Sequence, residues 1–99
     1  MDNNIYRIEE IKTALEPIFE TNGVKTAILF GSYAKGDASE KSDIDIYVDS
    51  GLFGLDFVGL VENVYEALNK QIDIIDVRSL KAGSQIEKEI HDHGIKIYG

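Results

Sequence analysis

Ninety-nine residues suffice for one hydrophobic core and leave no room for a second, so a single domain over 1–99 is expected. A formal net charge of −8 repels phosphate backbones, which disfavours direct nucleic-acid binding; the acidity suits solubility or a basic protein partner. Cysteine is absent, which excludes disulfides and thiolate metal sites, no apolar run approaches the ~20 residues of a membrane span, and MDNNIYRIEE is not signal-like, so a cytoplasmic location is expected.

Ile5, Ile8, Ile11, Leu15, Ile18 and Phe19 recur at three- and four-residue spacing and predict an amphipathic helix from about residue 3 to 21. Pro17 lacks an N–H and crowds the preceding turn, so a kink or an irregular last turn is expected there, and Asn22-Gly23 supplies the stop. Thr26 to Phe30 is short, apolar and bounded by glycines, as in a buried strand. Residues 31–42, GSYAKGDASEKS, read as a loop with room for one helical turn. Asp43 to Val48 alternates polar and apolar residues, which predicts a strand with Ile44, Ile46 and Val48 in the core and Asp43, Asp45 and Tyr47 on the other face.

After a turn at 50–54, Phe57, Leu60, Val61, Val64 and Leu68 mark a helix over 55–69, with Asp56 as a cap near its start. The stretch Gly51 to Gly59 reads as a mobile loop leading into that helix, with a contact surface as the alternative. Gln71 to Val77 is a third strand. Ser84 and Glu87 have capping-box spacing for a last helix, which could also start near Ser79, and Gly94 ends it. Ile95 to Tyr98 adds a short edge strand. The order describes an α/β (α+β) domain, one sheet of about four strands flanked by helices.

Asp43 and Asp45 point to one side of their strand, about 7 Å apart, where two carboxylates can grip one cation. An Asp-x-Asp on a strand is by itself commonly a solvated face. Here Gly31-Ser32 follows a buried strand upstream, where glycine lets a phosphate approach the backbone and Ser32 offers a hydroxyl. Asp73 is a third carboxylate, in an isoleucine-rich strand where an unpaired buried acid would be costly; Asp76, nearer the exit, competes as a turn or cap residue. Three such acids converging within about 4 Å would repel by roughly 4 kcal/mol per pair, and two Mg²⁺ ions would turn that repulsion into ligation. His91 and His93, at a helix end, suit the helix dipole better than a metal. The five tyrosines are most simply packing residues, with Tyr33 or Tyr47 the candidates for stacking on a base.

Together Gly31-Ser32-Tyr-Ala-Lys35-Gly36, Ser42-Asp43-Ile-Asp45 and Ile72-Asp73-Ile resemble the polymerase-beta-like nucleotidyltransferase superfamily, in particular its minimal nucleotidyltransferase (MNT) branch. The resemblance implies a mixed sheet and transfer of a nucleotide, AMP from ATP foremost, to an acceptor hydroxyl with release of pyrophosphate. Asp43, Asp45 and Asp73 would be the metal-binding and catalytic residues, and Gly31, Ser32, Lys35 and Ser42 would bind the nucleotide. Lys35 stands where related sequences often carry arginine, so it would meet phosphate as a point charge. Larger members add a helical domain, and its lack implies that a second protein or a second copy, in a heteromer or a homodimer, completes the site. MNT proteins of this kind are typically encoded beside a helical HEPN-type partner, often a toxin ribonuclease; they act as its antitoxin, and some AMPylate it. The alternative is a non-catalytic antitoxin that masks such a partner by contact alone.

Overall fold

Four strands form one sheet in the order β3-β2-β1-β4 in the computed structural model, which describes residues 5–99. The elements are α1 (Ile8–Thr21), β1 (Thr26–Phe30), α2 (Gly31–Lys35), β2 (Ile44–Asp49), α3 (Gly54–Leu68), β3 (Ile72–Asp76), α4 (Gln85–His93) and β4 (Ile95–Tyr98). β1 runs antiparallel to both β2 and β4, whereas β2 and β3, joined through α3, are parallel, so the sheet is mixed as expected. Among the described residues no helix is long and apolar enough to cross a membrane.

The period-two pattern of β2 determines its faces. Ile44, Ile46 and Val48 are fully buried with Ala27 and Leu29 of β1, and α1 and α3 cover them with Ile11, Leu15, Phe19, Leu60, Val64 and Leu68. The alternating residues Asp45, Tyr47 and Ile28 are only partly buried. α4 packs against β1 and α2 on their side of the sheet. Gly94, just after α4, permits that packing. A Cβ there would fall 2.4 Å from the Ile90 carbonyl oxygen and 2.7 Å from Ile28 Cγ2. Its N–H donates to the Ile90 carbonyl at 2.8 Å, closing the helix without any left-handed turn.

Several boundaries depart from the expectation. α1 begins at Ile8, not near residue 3; residues 1–4 lie outside the described residues. Arg7 is extended and its N–H donates to the Glu10 carboxylate at 2.8 Å, while the Tyr6 hydroxyl donates to the Leu68 carbonyl at 2.5 Å. These bonds hold the approaching chain against the end of α3, outside the helical path. α1 also continues through Pro17 to Thr21, so its last turn is regular helix, because packing of its apolar face outweighs one missing donor. Phe53, not Asp56, is the N-cap of α3, and the helix takes in most of the glycine-containing stretch read as a loop. Asp56 lies in the first turn, where a negative charge favours the helix dipole. The last helix starts at Gln85, with Ser84 Oγ accepting from the Glu87 N–H at 3.2 Å. Tyr33 is a core residue, 4% exposed, which removes it as a stacking platform.

Asp76 ends β3 and ties down the turns on either side of it. It is 4% exposed, and its carboxylate accepts from Ser50 Oγ at 2.6 Å, the Ser50 N–H at 3.1 Å, the Arg78 N–H at 3.2 Å and Arg78 Nε at 2.9 Å. Burial pushes this carboxyl up, but the bonds from Ser50 and Arg78 outweigh it and hold it below the usual carboxylate range. The strand therefore stops one residue before Val77, in a 3-10 turn at Val77–Ser79. Asp76→Ala is expected to cost about 1.5–3 kcal/mol, the scale of hydrogen bonds to a charged group, measurable as a lower urea midpoint at pH 7. Because the folded-state pKa is lowered, this contribution is present above the ordinary aspartate pKa and fades as pH falls below it, so wild type and variant should converge in acid.

Candidate functional site

Strand register brings the two central acids together. Asp45 of β2 pairs with Asp73 of β3 across the parallel ladder, and with Phe30 of β1 on its other side. Register partners share a face, so a buried aromatic residue and a second carboxylate flank Asp45 on the half-covered side of the sheet. Asp43 immediately precedes β2 and is exposed, as is Asp73. Asp76, three residues beyond Asp73, belongs to the opposite face, where Ser50 and Arg78 bind it.

Gly31 is required beside Asp45 for two independent reasons. Its φ of +76° lies in the left-handed region, and a Cβ built on it would stand 2.2 Å from Asp45 Oδ2. The turn that begins α2 is thus fitted around the carboxylate. Ser32, next in the chain, is partly buried in the same short helix.

α4 adds a residue that sequence reasoning missed. Glu89 Oε2 lies 3.7 Å from Lys35 Nζ, and its charge also reaches Asp45. Burial, then the negative charges of Asp73, Asp43 and Glu89, push the Asp45 carboxyl up to about 6. Nothing local in the motif signals Glu89, since only the packing of α4 on β1 and α2 carries it there. Lys35, expected to face phosphate, is engaged by Glu89, though both side chains remain partly solvent-exposed. Ser42 lies in the turn before Asp43: its Oγ accepts from the Ser39 N–H at 2.9 Å and its N–H donates to the Ser39 carbonyl at 3.0 Å. Lys70 Nζ secures the same loop by donating to the Glu40 carbonyl at 2.9 Å.

Residues 13–99 match the family described as polymerase beta, nucleotidyltransferase. The chain belongs to that family. Protein adenylyltransferase MntA of Thermococcus cleftensis is 37% identical to this nucleotidyltransferase over 82 residues, 77% of this chain and 83% of the relative. A crystal structure of a toxin-antitoxin with AMP-PNP contains a chain 26% identical, with a TM-score of 0.72 over 95% of this nucleotidyltransferase and 74% of that chain. A structure of tri-AMPylated Shewanella oneidensis HEPN toxin in complex with MNT antitoxin matches at 22% identity, with a TM-score of 0.70 over 93% of this chain and 72% of that one, a likeness of fold.

The family's chemistry uses a nucleoside triphosphate and a divalent metal ion. The donor set of this nucleotidyltransferase fits a hard cation, because Asp43, Asp45 and Asp73 offer only carboxylate oxygens and their mutual repulsion contributes to the raised Asp45. Among the described residues no three acidic or histidine side chains stand close enough together to hold a metal ion as they are. An open groove of about 520 Å³ bounded by Lys12, Lys25, Lys96 and Tyr98 lies near the opposite end of β1 and contains none of these aspartates.

Asp45 holds its proton more tightly in the folded chain than in the unfolded one. Its contribution to stability is therefore complete below the ordinary value of 3.8 and is lost as pH rises through about 6. Without metal, Asp45→Asn is expected to melt several degrees above wild type at pH 7.5, with the gap closing by pH 4, as read by thermal denaturation at the two pH values.

Proposed function

We propose that this chain is a cytoplasmic, Mg²⁺-dependent protein adenylyltransferase that transfers AMP from ATP to a hydroxyl of a helical HEPN-type partner and serves as the antitoxin of that pair. The observation that carries the reading is the register-matched Asp45 and Asp73, with Asp43 beside them and Gly31 fitted against Asp45. The adenylyltransferase name of the Thermococcus relative and the AMPylated toxin of the Shewanella complex support the substrate and the partner.

In this reading Asp43, Asp45 and Asp73 would hold the metal, as two ions during catalysis. When bound, Mg²⁺ neutralises triphosphate charge and stabilises the attacking and leaving oxygens of an in-line displacement. Gly31, fitted against Asp45, and Ser32 at the start of α2 receive the triphosphate beside the acid cluster, with Ser42 shaping the neighbouring turn. Lys35 then exchanges Glu89 for phosphate. An ion pair between partly exposed side chains is worth at most about 1 kcal/mol, so a multiply charged triphosphate displaces Glu89 readily. Asp73, exposed on an edge strand, is the carboxylate an incoming hydroxyl meets first, and it orients that hydroxyl and takes up its proton. The acceptor oxygen bonds to the α-phosphorus as the bond to the β-phosphate bridging oxygen breaks, and pyrophosphate leaves.

Incubation with Mg²⁺, labelled ATP and the helical protein encoded beside this chain's gene should label that protein. Asp43→Asn with Asp45→Asn should reduce the label to background. Absence of label with any nucleoside triphosphate would overturn the catalytic assignment, and neutralisation of the partner by the double variant would establish masking by contact in its place. Lys35→Ala is expected to raise KM for ATP about tenfold, as loss of one charge-assisted contact requires, whereas Glu89→Gln should lower it two- to threefold, or roughly 0.5 kcal/mol; steady-state kinetics read both.

A further inference from the structure

A protein as acidic and as small as this one gains nothing in stability from large apolar side chains held in water, yet one region presents several. Phe53 is 66% exposed, Leu55 87%, Val58 48% and Tyr65 49%. Leu55, Val58 and Tyr65 recur along α3 at spacings that place them on one outward stripe, away from the buried stripe of Leu60, Val64 and Leu68. Phe53 caps the start of the same helix.

The patch is anchored. The Arg78 guanidinium carbon lies 4.0 Å from the centroid of the Phe53 ring, a cation–π contact, and Arg78 is itself held by Asp76 and by the Leu52 carbonyl. Leu52 donates its N–H to Ser50 Oγ at 3.1 Å, and Ser50 is bound by Asp76. A buried carboxylate thus fixes the 50–53 turn with an exposed aromatic ring at its tip. Aromatic residues, phenylalanine among them, and arginine are both enriched at protein interfaces.

The charges around the patch indicate what covers it. α3 carries Asp56, Glu62 and Glu66 and no basic residue, and Glu62 lies within the apolar stripe. A second copy of this chain would bring the same acids against themselves, with a net charge of −8 on each side. We propose that the exposed face of α3, with Phe53 and Arg78 at its start, is the docking surface for a different protein whose own apolar face is rimmed by lysine and arginine. The proposal deepens the reading of this chain as a partner-modifying enzyme by assigning the surface through which the partner is held. β3 links the two regions, running from Asp73 in the acid cluster to Asp76, which holds Arg78 beside the Phe53 ring.

Binding to the helical protein encoded beside this chain's gene, measured by calorimetry without ATP, separates docking from catalysis. Leu55→Glu with Val58→Glu alters two exposed positions, so circular dichroism and melting should remain close to wild type while Kd rises at least thirtyfold. Glu62→Lys with Glu66→Lys should also weaken binding, and affinity of the wild type should fall with added salt. Asp43→Asn with Asp45→Asn should leave Kd unchanged, and a wild-type chain that binds through the patch yet transfers no AMP sinks only the catalytic reading. Unchanged Kd in both patch variants, tighter binding by the lysine variant, or a wild-type homodimer in sedimentation equilibrium that the Leu55 and Val58 changes dissociate would each overturn the proposal.

Discussion

Like charges held in register are the constraint around which this domain is arranged. The parallel pairing of β2 with β3 places Asp45 opposite Asp73, and no local adjustment separates them without breaking the ladder. A register slip of one residue would relieve the repulsion, but it would also turn Ile72 and Ile74 away from Ile44 and Ile46, so the apolar face enforces the electrostatic tension on the other. Core packing by α1 and α3 thereby supports a cluster that opposes folding, and a cation with its triphosphate is what such a cluster is suited to receive.

The same division of labour separates the two aspartates of β3. Asp73 and Asp76 sit in similar isoleucine-rich surroundings in the sequence, three residues apart. An odd spacing on a strand sends them to opposite faces, one to the open side with Asp45 and one to a buried cage of donors from Ser50 and Arg78. Their opposite electrostatic situations stem from that parity and from what each face offers.

Periodicity made much of the molecule readable. The limits of β1, the faces of β2 and the Ser84 cap all come from local pattern, because each depends on residues close in the chain. What local pattern lacks is the identity of neighbours brought by packing. Glu89 reaches the acid cluster only because α4 folds back over β1, and it is there that Lys35 finds a carboxylate in place of the phosphate expected of it. The start of α1 escaped for the same reason, since Tyr6 is held by a carbonyl at the far end of α3. The cap of α3 was misassigned because aspartate is a common cap and phenylalanine a rare one, and the backbone chose Phe53 to suit a turn tied down by Asp76.

Among the described residues, β4 leaves one border of the sheet without a further strand. Lys96 is exposed on it, and Lys25 and Lys12 stand beside the same groove. A charged lysine on an open border hinders the approach of an identical border from another molecule, so strand-to-strand addition, the route by which small sheet proteins polymerise into fibres, meets a barrier from the outset. Lys96 thus guards the chain against its own aggregation.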